Sequence, residues 1–126
     1  MSITIDQLFY VHYYGLMEID NALSAFLALS QETRLKVFKI LVEYGRSGTA
    51  AGTISDRLDI PHNTLSFHLS HLTQAGLITA RKEGRLMIYA ANCDAIEALI
   101  SYLRENCCIL EEGCETDCNP TKRGKK

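Results

Sequence analysis

Pro61-His62-Asn63-Thr64-Leu65-Ser66-Phe67-His68-Leu69-Ser70-His71-Leu72-Thr73-Gln74-Ala75-Gly76 is the stretch that decides the fold. Leu65, Leu69 and Leu72 recur at i, i+4 and i+7, which lines them along one face of a helix. Proline suits the first turn of a helix, where its missing N–H would be unpaired anyway. Gly76 is a typical C-terminal stop. The opposite face carries Asn63, Ser66, Phe67 and Ser70, with His62 and Thr64 in the first turn. That face is short, polar and almost uncharged, whereas a solvated helix face is normally rich in Lys and Glu. Short hydroxyl and amide groups allow a helix to approach base edges in the major groove, where Asn pairs with adenine and Ser or Thr with either base. Phe67 can lie against a thymine methyl or pack against a neighbouring element.

Downstream the period changes to two. Leu77–Lys82 and Arg85–Ala90 read as two strands joined by Glu83-Gly84, a tight hairpin signal. Arg81, Lys82 and Arg85 flank the turn against one acid, Glu83, so this hairpin is basic within a chain of net charge −2. A local basic patch matters more to nucleic acid than the total. Upstream, Thr49 is placed to cap a short helix in which Ile54 and Leu58 face inward. Before that, Ser30 is placed to cap a helix whose apolar face is Leu35, Phe38, Leu41 and Val42, ended by Gly45 and Gly48. Ile19, Leu23, Phe26 and Leu27 give an amphipathic helix over about 18–29. A last helix runs from about Asp94 to Glu105, with Ile96, Leu99, Ile100 and Leu103 on its buried side.

The order is helix, helix, short helix, helix, hairpin, helix: mainly α with a β-hairpin wing, a winged helix-turn-helix. Residues 18–105 are the expected DNA-binding domain. Residues 1–17 (Phe9, Tyr10, Tyr13, Tyr14) form an extension, read either as an extra helix on a partner subunit or as a variable leader. Residues 106–126 form a cysteine-rich tail. No apolar run reaches the length of a membrane span, and no basic segment precedes an apolar one as in a secretory signal, so a cytoplasmic protein is expected. Five cysteines in a reducing compartment point to metal or redox chemistry and away from a disulfide framework. An enzyme is not expected: no nucleophile–base pair or glycine-rich phosphate loop is present.

Thr33-Arg34-Leu35, Asn63 to Leu69, Ala75-Gly76-Leu77-Ile78, and Gly84-Arg85 before Ile88-Tyr89 together resemble the ArsR/SmtB family of metal-responsive repressors over about residues 18–105. The resemblance implies a homodimer through the first and last helices on an imperfect palindromic operator upstream of a resistance operon. Two of the family's sensing positions are empty here. Thr53-Ile54-Ser55-Asp56 replaces the cysteine pair of the third helix, and the last helix has no histidine. Phe67 takes a place often held by a basic residue.

Four cysteines remain in the last twenty residues: Cys107, Cys108, Cys114 and Cys118. Cys107, Cys108 and Cys114 resemble the site of an arsenic-responsive subgroup, an adjacent pair with a third cysteine six residues on. As(III), or Sb(III), is soft and carries a lone pair, which favours three thiolates in a pyramid. Adjacent helical residues diverge by about 100°, so the pair converges only where the helix ends. Asn106 is the expected terminator, and Gly113 lets the chain turn back toward Cys114. Zn or Cd on four sulfurs and a thiol redox switch are the alternatives, followed by a zinc-stabilised protein-interaction module. Cys118 is a spare thiol on the three-sulfur reading. Cys93 reads as a buried small residue. A zinc site on His62, His68 and His71 is the weaker reading of those histidines, and His68 is expected to orient the helix through a hydrogen bond.

Overall fold

The computed structural model describes residues 17–111. The N-terminal extension short of Met17, and Gly113, Cys114 and Cys118 of the tail, lie outside them. The elements are α1 (Ile19–Leu29), α2 (Glu32–Tyr44), a 3-10 turn (Gly45–Ser47), β1 (Thr49–Ala50), α3 (Ala51–Leu58), α4 (His62–Gln74), β2 (Ile78–Glu83), β3 (Leu86–Ala91) and α5 (Cys93–Arg104). The sheet is antiparallel in the order β1-β3-β2.

The core is built from Val37, Phe38, Ile40 and Leu41 of α2, Ile54 of α3, Leu65, Leu69 and Leu72 of α4, then Leu77 and Ile78. The α4 stripe is buried as its spacing predicts. The faces of α2 and α5 differ in part from expectation, and the apolar face of α1 turns outward. In α1 the inward residues are Ala22, Ala25 and Ala28, while Ile19, Leu23, Phe26 and Leu27 are exposed, Leu27 by 69%. In α2 Val37 and Ile40 are buried with Phe38 and Leu41, whereas Leu35 and Val42 stay partly exposed. In α5 Ala95, Ala98 and Leu99 face inward and Ile100 and Leu103 outward. In α1 and α5 the physical reason is that buried alanines let two helices approach closely, leaving large residues on the far side without a partner in one chain.

Helix ends also correct the sequence reading. Ser30 closes α1, its hydroxyl donating to the Leu27 carbonyl at 2.9 Å. The N-cap of α2 is Gln31, whose side-chain oxygen accepts from the Arg34 N–H at 2.8 Å. Arg34 Nε then donates to the Ala28 carbonyl at 2.7 Å, satisfying one of the last orphan carbonyls of α1. Thr49 does not cap α3; it pairs with Tyr89 in a two-residue strand too short to show a period. Gly48 lies so close to β3 that a Cβ there would stand 2.3 Å from the Tyr89 carbonyl oxygen, at a φ of +68°.

The helix-turn-helix joint is held from inside. Asp59 takes the left-handed conformation (φ 53°, ψ 51°), ending α3. Buried Ser55 donates its hydroxyl to the Ile60 carbonyl at 2.5 Å, while the Ile60 N–H donates to the Ser55 carbonyl at 3.2 Å. Both bonds tie down the turn before Pro61, which sits at the N-cap position of α4.

Candidate nucleic-acid interface and cysteine site

Helix α4 presents His62, Asn63, Thr64, Ser66, Phe67 and Ser70 as exposed residues on the side opposite Leu65, Leu69 and Leu72. Because the buried leucines fix the helix rotation, the six polar or aromatic positions are aimed outward as a set. Asn63 Oδ1 accepts from the Thr64 N–H at 3.0 Å. Phe67 is 61% exposed. Its ring meets His71 edge-on, with centroids 4.6 Å apart and planes at 61°, and lies 5.9 Å from His68. The intramolecular packing weighed as an alternative for Phe67 is therefore limited to this edge contact.

His68 departs from expectation. Its Nδ1 is buried without a hydrogen-bond partner, so it does not orient the helix as expected. Burial, with the Arg34 guanidinium and His71 adding repulsion, holds its imidazole below the usual histidine range. Among the described residues, no three His, Cys, Asp or Glu side chains gather as a metal site.

The hairpin turn is Gly84-Arg85, one residue later than expected, with Glu83 opposite Leu86 and Gly84 at φ 62°. A two-residue hairpin loop of this mirror-image type requires positive φ at its first central residue, which glycine supplies. Lys82 and Arg85 are exposed at the tip and, among the described residues, their side chains make no hydrogen bond or ion pair. Arg81 differs: its guanidinium donates to Glu83 Oε2 at 2.7 Å, to the Arg46 carbonyl at 3.1 Å and to the Ser47 carbonyl at 2.6 Å.

Asn92 joins the reading head to α5. Its Oδ1 caps the Ala95 N–H at 3.4 Å, its Nδ2 donates to the Gly76 carbonyl at 3.1 Å, and its own N–H donates to the Leu77 carbonyl at 2.8 Å. Nothing in the hydrophobic pattern marks this residue; its position just before a helix, where Asn is favoured, is the only signal. Cys93 follows as the first residue of α5 and is exposed, contrary to the expected burial, because it and Asp94 lie on the solvent side of the first turn while Ala95 takes the core side.

At the other end, α5 stops at Arg104. Asn106 (φ 60°) and Cys108 (φ 62°) both adopt left-handed backbone. Asn enters this region more readily than other non-glycine residues. The reversal replaces the helical divergence of neighbouring side chains and brings Cys107 Sγ to 3.5 Å from Cys108 Sγ. Two thiolates bonded to one ion at about 2.3 Å with tetrahedral angles stand about 3.8 Å apart, and a narrower pyramidal angle shortens that separation. Cys108 stands in a disulfide in this structure, contrary to the expected absence of disulfides, so its sulfur would have to be reduced before the pair, at this separation, could share one thiophilic ion. Cys114, the expected third ligand, lies outside the described residues.

Comparison with known proteins agrees with this architecture. A model for a helix-turn-helix domain matches residues 29–81. An HTH-type transcriptional regulator of Methanocaldococcus jannaschii is 35% identical over 86 residues, which is 68% of this chain and 94% of that protein. The arsenical resistance operon repressor of Bacillus subtilis is 31% identical over 93 residues, 74% of this chain and 85% of that one. Among solved structures, an ArsR-like transcriptional regulator from Rhodococcus sp. RHA1 is 30% identical with a TM-score of 0.60, covering 67% of this chain and 76% of that chain. Among the described residues, no helix is long and apolar enough to cross a membrane. With its winged helix-turn-helix, basic hairpin and these relatives, the chain belongs to the ArsR/SmtB family of DNA-binding transcriptional regulators.

Proposed function

We propose that the protein is a dimeric repressor that occupies operator DNA and leaves it when As(III) binds Cys107, Cys108 and Cys114. The observation that carries the proposal is the Cys107–Cys108 separation of 3.5 Å at a helix end reversed by two left-handed residues. Arsenical resistance in the name of the B. subtilis relative supports the same ligand class. Sb(III) shares the soft, lone-pair chemistry that selects thiolates.

The outward apolar residues of α1 (Ile19, Leu23, Phe26, Leu27) and of α5 (Ile100, Leu103) support a homodimer through these two helices. Contiguous exposed apolar area of this kind marks an interface. Two α4 helices then read two half-sites. His62, Asn63, Thr64, Ser66, Phe67 and Ser70 meet base edges, and Lys82 and Arg85 meet phosphates. The cysteine pair sits at the C-terminal end of α5, a dimer helix whose N-terminal end is bonded through Asn92 to Gly76 at the end of α4. Ligand binding at one end of α5 thereby acts on the placement of the reading head at the other. A coupling of about 1–3 kcal/mol, or 5- to 150-fold in affinity, suffices to empty a moderately occupied operator.

The test is a duplex-binding titration with arsenite, antimonite, zinc, cadmium and peroxide in turn, the metal arms under reductant. Release by arsenite, abolished by Cys107→Ser with Cys108→Ser, is expected. Release by peroxide alone supports a redox switch instead, and release by zinc or cadmium alone supports a four-sulfur site.

A further inference from the structure

The three basic residues of the hairpin are not equivalent. The side chains of Lys82 and Arg85 are exposed without partners among the described residues, whereas each of the three guanidinium nitrogens of Arg81 donates one hydrogen bond. Arg81 stands on β2, opposite Ile88 of β3. Its acceptors, the Arg46 and Ser47 carbonyls, belong to the 3-10 turn that leads into β1, on the far side of β3. The side chain therefore reaches across the central strand and ties the outer strand of the wing to the end of α2. Gly48, beside those carbonyls, is pressed against the Tyr89 backbone with no room for a Cβ, so the turn cannot shift inward to release the arginine. Glu83 takes the Nε side in an exposed ion pair.

We infer that Arg81 is a positioning residue: it sets the pitch of the wing against the helix-turn-helix, and it does not contact phosphate. The inference rests on the reading of the hairpin as a DNA-binding wing. Its physical basis is the planar fork of Arg, which addresses two carbonyls and a carboxylate at fixed angles. Lys, a point charge on a flexible stem, cannot reproduce that geometry. A phosphate contact makes a different demand, a positive charge that displaces counterions from the duplex, and salt dependence reads it directly.

The experiment uses the full-length protein and a duplex selected on the wild type from a random-sequence pool. Affinity is read by fluorescence anisotropy from about 50 to 300 mM KCl, with thermal unfolding of each variant alongside. Each phosphate contact contributes about 0.9 to the slope of log K against log salt. Lys82→Gln and Arg85→Gln should each lower the slope by about that amount. Arg81→Gln should weaken binding about tenfold with the slope unchanged, and Arg81→Lys should lose nearly as much although it keeps the charge. A slope reduced by about 0.9 in Arg81→Gln, or wild-type affinity in Arg81→Lys, overturns the inference. Should Arg81→Gln fail to fold, Arg81→Met is read in its place: weakened binding with the slope unchanged supports the inference, and a slope reduced by about 0.9 overturns it. A wild type without salt-sensitive binding to any duplex overturns the DNA reading itself, a result distinct from either.

Discussion

Helices α1 and α4 have similar apolar periodicity and opposite fates. In α4 the large residues Leu65, Leu69 and Leu72 enter the core and the small polar ones face out. In α1 the small residues Ala22, Ala25 and Ala28 enter the core and Ile19, Leu23, Phe26 and Leu27 face out. A helix that turns its bulk inward is stabilised by its own chain. A helix that turns its bulk outward has an unfilled requirement, which on the proposed reading a second copy of the chain meets. The sorting of large and small residues thus separates a reading element from an assembly element.

That contrast can be broken most severely at the α1 face. Leu27→Glu together with Leu103→Glu should leave a folded monomer, since both positions are more than half exposed. Operator affinity should fall by about 10²- to 10⁴-fold with the loss of bivalency. Sedimentation and anisotropy check both parts. Leu69→Ala removes a buried side chain from α4 and should cost about 2–5 kcal/mol in urea unfolding, with dimer assembly of the remaining folded protein intact. Ala25→Leu, which forces bulk into the close contact of α1, should cost about 1–3 kcal/mol by overpacking in the same assay. If Ala25→Leu were neutral, the alanine stripe would not be the approach surface described.

The smallest effect concerns His68, on the flank of α4. Its folded form holds the imidazole neutral below the usual value, so the unfolded chain binds a proton that the folded chain refuses. Stability from this source is complete above the unfolded value of about 6.5 and declines as pH falls through it toward the folded value. The midpoint of thermal unfolding should therefore drop below about pH 6.5, and His68→Leu, which also removes the unpartnered Nδ1, should flatten the decline. An unchanged pH profile in that variant would assign the slope to other groups.

The sequence carried the element order because the α4 leucines and the alternating hairpin are periodic over a whole element. It misplaced parts of the apolar faces of α2 and α5 and left the direction of the α1 face open, because hydropathy does not distinguish a residue buried in its own chain from one left at its surface. The short strand Thr49–Ala50 was invisible, since two residues have no period and their partners lie some forty positions away. For the candidate site, the six α4 residues stand on the outward face as the spacing implied, and Asn106 ends α5 as its residue type suggested. The role of Arg81 was not legible, because residues 46 and 47 meet it only after the sheet has formed. Cys93 was misjudged on residue type alone.

The most direct measurement is X-ray absorption at the arsenic edge of fully reduced protein loaded with one equivalent of arsenite. The account predicts a first shell of three sulfurs and no oxygen, lost when Cys107 and Cys108 are both replaced by serine. A shell dominated by oxygen, or one that keeps its three sulfurs in that double variant, would contradict it.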